Sequence, residues 1–406
     1  MSARGIAHEH EIRRKERDYL WLVLFLIIFI NGFESGGYQA SLWSIGQDFD
    51  LSATSMGLYA ALELFATMLA PILLGRWADS VEKAKSIRLM LIIQIVASAV
   101  ILFATSNTTF LASIFVIGLT TSALQFIAIA ALSDAYPVSG SKKIAYMTSM
   151  YATGALTAPL VVDLYLKYGL NWRTLFGLMA VASAVSLAGI LYSGSDPREI
   201  RPQQSGERAN DGKMVLSAIL LFSVIMCIYV GFENGFTFFV DTLYTDVLGA
   251  SSGKIALSVF WAVMIPSRIL VGRFSKHADK ILIGAILLIP LTMLLLYMCS
   301  DPTLITLLCI PLGFASGAIY PCVLTLMLPY AGKNTATATG IITSATGLGG
   351  VVFTALTGFM ADRFGLRVAM LALVCFFAFS LLAAWRVTRG NYESRPSGQL
   401  DTDDMA

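Results

Sequence analysis

The sequence predicts an all-α membrane protein of twelve transmembrane helices arranged as two pseudo-symmetric six-helix bundles. Three observations predict it: an apolar composition, twelve separate runs of bilayer length, and a repeat that relates the two halves. Of 406 residues, 56% are hydrophobic and only 13% charged, roughly half the charge of an ordinary soluble domain. A soluble surface must be dressed in groups that water accepts, and this chain has too few. Composition therefore excludes a soluble enzyme and a disordered scaffold. The formal net charge of +2 supplies no basic field for nucleic acid. Five cysteines, Cys227, Cys299, Cys309, Cys322 and Cys375, lie in or beside apolar runs without a CxxC. They read as small core residues, neither disulfides nor zinc ligands.

A bilayer core about 30 Å thick needs about 20 apolar residues per helix. The segments that meet this are 19–42, 53–75, 87–105, 109–133, 144–166, 174–193, 214–240, 254–272, 281–299, 304–327, 336–359 and 367–387. The stretch 1–18 is polar and charged, so it is expected to be a cytoplasmic tail rather than a cleaved signal peptide. With both termini inside, 22 of the 28 basic residues fall on the cytoplasmic side. Five fall outside (Lys167, Arg173, Lys254, Arg363 and Arg367), and Arg268 lies within a span. That asymmetry is the positive-inside signal. The polar interruption 194–213, rich in Pro, Gly and charge, reads as a cytoplasmic linker. It separates bundles at 19–193 and 214–387, with a second cytoplasmic tail at 388–406. A monomer in a bacterial inner (plasma) membrane is the expected setting.

The halves are copies. Gly32-Phe33-Glu34 in span 1 recurs as Gly231-Phe232-Glu233 in span 7, and Gly75-Arg76 after span 2 as Gly272-Arg273 after span 8. Thr153-Gly154 in span 5 recurs as Thr346-Gly347 in span 11, and Tyr168-Gly169-Leu170 as Phe364-Gly365-Leu366. Four matches in order, at offsets of 193 to 199, are a duplication rather than coincidence. Two repeated bundles about a midplane site are the architecture of a rocking transporter.

On these residues the chain resembles a major facilitator superfamily transporter over nearly its whole length. Gly75-Arg76-Trp77-Ala78-Asp79 is similar to the family's G-x-x-x-D loop motif between helices 2 and 3. There the acid meets basic groups and a helix end, latching the cytoplasmic side while the outer side is open. The resemblance implies that gating role for Arg76 and Asp79, although Ser80 stands where a basic residue is usual. Gly154 to Pro159 is similar in part to a helix 5 motif common in exporters. Tyr229-Val230-Gly231-Phe232-Glu233 resembles the YVGxE signature of the fucose–galactose–hexose permease group, with Phe238 or Phe239 where a Trp is expected. The run from Pro321 through Gly347-Leu348-Gly349-Gly350 to Gly358–Asp362 is similar to that group's helices 10 and 11.

Charges within the spans mark candidate function, because each costs about 2.5–3.5 kcal/mol at the bilayer centre on insertion scales. Glu34, Glu63, Glu233 and Arg268 stand out. A carboxylate in a wet cavity can load and release a proton, so Glu34, Glu63 and Glu233 are the candidate coupling residues. The alternative is that they hydrogen-bond helices together. Arg268 stays charged and serves either as counter-charge, as anchor for an anionic solute, or simply snorkels to the inner face. Along span 1, Asn31, Glu34 and Tyr38 share a face, as do Tyr229, Glu233 and Phe236 on span 7. Candidate solute contacts are Asn31, Tyr38, Gln125, Tyr229, Asn234, Trp261, Arg268 and Tyr320. For Gln125, helix–helix bonding is an equal alternative, and Tyr59, Tyr151 and Tyr320 either stack on a sugar ring or pack. Asp163, Lys167 and Asp241 fall near span ends and read as interfacial.

The predicted function is a secondary active transporter moving a small polar organic solute, sugar-like or an organic acid, by alternating access with proton-coupled symport. The alternative is a proton-driven antiporter exporting drugs or metabolites. No Walker A motif implicates ATP. An enzyme is disfavoured: His8, His10 and His277 all lie in cytoplasmic segments, and HExxH is absent. His8-Glu9-His10 reads as a solvated tail rather than a metal site. The expected partners are the solute, protons (or sodium) and the bilayer, with no cofactor, metal or nucleic acid.

Overall fold

The computed structural model describes residues 19–136, 140–193, 214–331 and 335–389. The expected N-terminal tail with its His8-Glu9-His10 run, the expected linker at 194–213 and residues 390–406 of the expected C-terminal tail lie outside the described residues, whereas 388 and 389 continue α12. Twelve long helices follow in order: α1 Leu20–Asp48, α2 Ala53–Ser80, α3 Lys83–Leu102, α4 Asn107–Ala135, α5 Gly140–Lys167, α6 Thr174–Ser193. The second half continues with α7 Leu216–Thr237, α8 Gly253–Arg273, α9 Ala278–Met298, α10 Pro302–Ala331 and α11 Thr335–Phe364. The last, α12, joins Leu366–Leu373 to Phe377–Arg389 through a 3₁₀ turn. No strand occurs among the described residues. We call the face where α1 begins and α6 ends the inner face, and the opposite one the outer face.

Several helices outrun the apolar segments that predict them. α1 has 29 residues, about 43 Å at 1.5 Å per residue, and so projects past a hydrocarbon core of about 30 Å. Polar caps start them: the Ser52 side chain accepts from Ser55 N, Ser106 from Thr109 N, and Asp301 from Leu304 N. These side chains satisfy amides that a helix cannot bond internally. Among the described residues, eleven helices are long and apolar enough to cross a membrane, α5 falling short of that measure. Its Ser, Thr and Gly content lowers its hydropathy, and it packs on α1 within its half and on α8 across the interface.

The repeat has a physical cause at its most visible point. Gly169 and Gly365 adopt φ of +80° and +83°, the left-handed turn that glycine enters without a Cβ penalty. Both glycines sit at the turn between paired helices, α5 into α6 and α11 into α12, although α12 starts at once with Leu366 and α6 only at Thr174. Packing repeats as well. α1 packs on α5 as α7 packs on α11, and across the halves α2 meets α11 as α8 meets α5. Under the duplication each pair maps onto the other.

Two expectations need correction. Asp241 is not interfacial: it is 1% exposed, in a short helical stretch followed by a π-helical turn, Leu243–Val247, that leads to α8. There it accepts a 2.6 Å hydrogen bond from Lys254 Nζ, so the chain reversal between spans 7 and 8 folds back into protein. Nor are all five cysteines core residues: Cys309 and Cys322 are buried, whereas Cys375 is exposed. Lys167 and Asp163 do form a surface pair at 2.7 Å.

Candidate functional site

A cavity of about 690 Å³ lies between the halves, within the range of small-molecule sites. α1, α2, α4 and α5 wall it on one side and α7, α8 and α11 on the other. All four intramembrane charges line it: Glu34 and Glu63 from the first half, Glu233 and Arg268 from the second. Glu34 is 2% and Glu63 6% exposed, and the two carboxyls interact electrostatically. Glu34 Oε1 has no protein partner. The first half thus contributes two acids without a described cation beside them.

The second half is compensated. Tyr229, one turn before Glu233, donates its hydroxyl to Glu233 Oε2. Arg268 interacts with both Glu233 and Tyr229. Arg268 therefore points into the cavity toward Glu233 rather than snorkelling to the inner face. Its Nε lacks a protein partner, so the guanidinium retains a donor beyond what the second half satisfies. Tyr151, on α5, lies within electrostatic reach of all three glutamates and bonds Ser35.

Of the other sequence-predicted contacts, Asn31, Gln125, Asn234 and Trp261 line the cavity. Asn31 Nδ2 donates to Thr121 O at 2.8 Å, and Asn234 Nδ2 to Val230 O at 2.9 Å. Each amide spends a donor on the scaffold, which fixes its orientation. Tyr38, Tyr229 and Tyr320 do not line the cavity. Tyr38 shares the face of Glu34, but Phe238 covers it, edge to face at 5.5 Å. Tyr229 backs Glu233, and Tyr320 lies 39% exposed on α10, within range of the Arg268 charge. The side chains of Arg76 and Asp79 lie outside the described residues. Sequence reasoning missed Gln39, Ser35 and Ser122, all of which line the cavity. Ser35 and Gln39 stand one and two turns beyond Asn31 on the same helix face, a signal that could have found them.

The two ends of the cavity differ. Toward the outer face the halves are tied: Trp261 Nε1 donates to Gln39 Oε1 at 3.2 Å and Trp43 Nε1 to Asp246 Oδ1 at 2.7 Å. Toward the inner face the lining continues through Pro71, Ile72, Phe126, Thr339 and Gly340. The cavity therefore reaches toward the inner face beneath a bonded outer roof.

Paired six-helix bundles around a charged, polar chamber define a membrane carrier. Residues 24–354 match the Major Facilitator Superfamily family model, and the chain belongs to that family, whose members are transporters and not enzymes. The chain is 24% identical over 238 residues to the glucose/mannose transporter GlcP of Bacillus subtilis, covering 55% of this chain and 59% of that protein. Matches to curated relatives span 39% to 59% of their lengths. A bacterial homologue of the human lysosomal transporter Spinster, solved inward-facing and occupied, superposes with a TM-score of 0.78 at 17% identity, covering 93% of this chain and 98% of that one. A D-xylose–proton symporter does so at 0.75 and 14% identity, covering 91% and 96%. These two similarities establish the fold.

Proposed function

We propose that this protein is a secondary active transporter that moves a small polar organic solute, sugar-like or an organic acid, by alternating access in proton-coupled symport. One observation carries the reading: three glutamates and one arginine, from both halves, line a single chamber. Such charges are expensive in a bilayer, and their convergence on one space gives them a common task. Glu34 and Glu63, close together and without a cation beside them among the described residues, are suited to share a proton, since two adjacent carboxylates do not both ionise readily. Asn31, Gln39, Gln125 and Asn234 offer amide donors and acceptors, and Trp261 an apolar face; this mixture suits a polyhydroxylated ring. GlcP and the xylose symporter, as named, handle sugars. The outer roof fits an inward-open state, and the distribution of basic residues supports an inner face and termini on the cytoplasmic side of a bacterial membrane.

The test is uptake of radiolabelled hexoses, pentoses and sugar acids into proteoliposomes bearing an imposed pH gradient. Symport predicts accumulation when the outside is acid. Loss of preloaded solute under the same gradient would instead identify a proton-driven antiporter, and indifference to the gradient would remove proton coupling.

A further inference from the structure

The outer roof has a third tie, at the ends of α2 and α11. Asp362, two residues before the end of α11, accepts hydrogen bonds from the backbone amides of Ala53 at 3.0 Å and Thr54 at 2.8 Å. These are the first two residues of α2, which belongs to the other half. A helix begins with four amides that lack internal carbonyl partners. Here the Ser52 side chain takes the amide of Ser55, and its carbonyl accepts the first regular helical bond, from Met56. Asp362 takes the orphan amides of Ala53 and Thr54, and its charge faces the positive end of the helix. The approach requires glycine: a Cβ on Gly358 would stand 2.3 Å from Ala53 O, and one on Gly57 would stand 2.9 Å from Thr354 O.

The sequence around this contact reads Gly358-Phe359-Met360-Ala361-Asp362. At the inner end of α2 stands Gly75-Arg76-Trp77-Ala78-Asp79, with the same glycine, alanine and acid at the same spacing. α2 and α11 pack together and run in opposite directions. Each therefore ends in a G-x-x-A-D segment, and each begins at the membrane face where the other's acid lies.

We propose that Asp362 is the outer latch of this transporter, holding the outer side shut by capping α2 across the interface and releasing it when the halves rock apart. The proposal rests on the alternating-access reading. The contact is exposed, so on release water takes over the amides and the carboxylate. The tie is therefore soft: it biases the equilibrium between open and closed without freezing it.

The test is double electron–electron resonance on the full-length protein in lipid nanodiscs, with its native cysteines replaced. One spin-label pair reports the outer side (Tyr168→Cys with Met298→Cys) and another the inner side (Ser80→Cys with Phe274→Cys). Asp362→Ala is expected to raise the ratio of outward-open to inward-open molecules about fivefold, in line with the loss of a capping residue. Asp362→Asn, nearly isosteric, should shift it less and in the same direction. Gly358→Ala, which wedges the same seam, serves as the independent check. If Gly358→Ala lengthens the outer distance and both Asp362 variants leave it unchanged, the latch is overturned while alternating access stands. If no variant, solute or pH moves either distance, alternating access itself fails.

Discussion

Trp261 on α8 and Gln39 on α1 meet directly across the two halves, indole Nε1 to amide Oε1 at 3.2 Å, and both side chains also line the cavity. They are 3% and 2% exposed, so the bond is made away from bulk water, where an unmade partner is costly. On the proposed reading, a solute entering from the inner face would meet this pair as the ceiling of its site, and closure of the outer side and recognition of the solute would be joined in the same two side chains.

Trp261→Phe keeps the ring and removes the donor. A buried hydrogen bond contributes about 0.5–1.5 kcal/mol, so outer opening should become about threefold more frequent. The measurement is alkylation of a single cysteine at Ser35 by a membrane-impermeant thiol reagent added from the outer side. A rate equal to that of the Trp261 protein would show that the bond does not hold the ceiling. Trp261→Ala should additionally lose solute affinity, because it removes the apolar face itself.

Glu233→Gln keeps the size of the side chain and an acceptor for the Tyr229 hydroxyl, but cannot carry a proton. Accumulation driven by a pH gradient should be abolished, while exchange of labelled for unlabelled solute persists within about threefold, because rocking of a loaded carrier needs no net proton movement. Unchanged accumulation would take Glu233 out of the coupling role and leave it to the Glu34 and Glu63 pair.

Arg268→Lys tests how the guanidinium is used. Arg268 interacts with Glu233 and Tyr229 together, which suits a planar fork and not a single ammonium. Solute affinity measured by calorimetry or tryptophan quenching should fall about tenfold, the equivalent of about 1.4 kcal/mol. Equal affinity in both proteins would reduce Arg268 to a point charge balancing Glu233.

The spans and the charged residues of the site were legible because a bilayer punishes exceptions. Every span must be apolar, and every charge within one must find a cavity or a partner. Glu34, Glu63, Glu233 and Arg268 stand out on that ground alone. Ser35, Gln39 and Ser122 do not, because neutral hydroxyls and amides are cheap in helices and serve equally as glue. Tyr38 was misplaced for a different reason: its helical face was right, but Phe238, from beyond the end of α7, covers it at that depth. A one-dimensional reading gives the direction of a side chain, not what stands in front of it.

The same limit hid the Asp241–Lys254 pair, whose members are separated by thirteen positions and by a turn whose depth hydropathy does not fix. Lys254 is the second residue of α8, so its ammonium sits at the positive end of a helix, an unfavourable place for a cation. Asp241, at 2.6 Å with side-chain exposures of 2% against 9% for Lys254, offsets both that field and the loss of water. Lys254→Met alone strands a buried carboxylate, and removal of one partner from a buried pair costs about 3–5 kcal/mol. Its thermal unfolding in detergent should therefore drop well below that of the Lys254 protein. The pair Asp241→Asn with Lys254→Met should regain most of the loss, because no buried charge is left unbalanced. A double variant no more stable than Lys254→Met would show that the ammonium stem packs the turn and that its charge is incidental. Exchange of the two charges, Asp241→Lys with Lys254→Asp, separates the remaining terms: it keeps the attraction and puts the acid at the helix start, so it should match or exceed the double neutral variant.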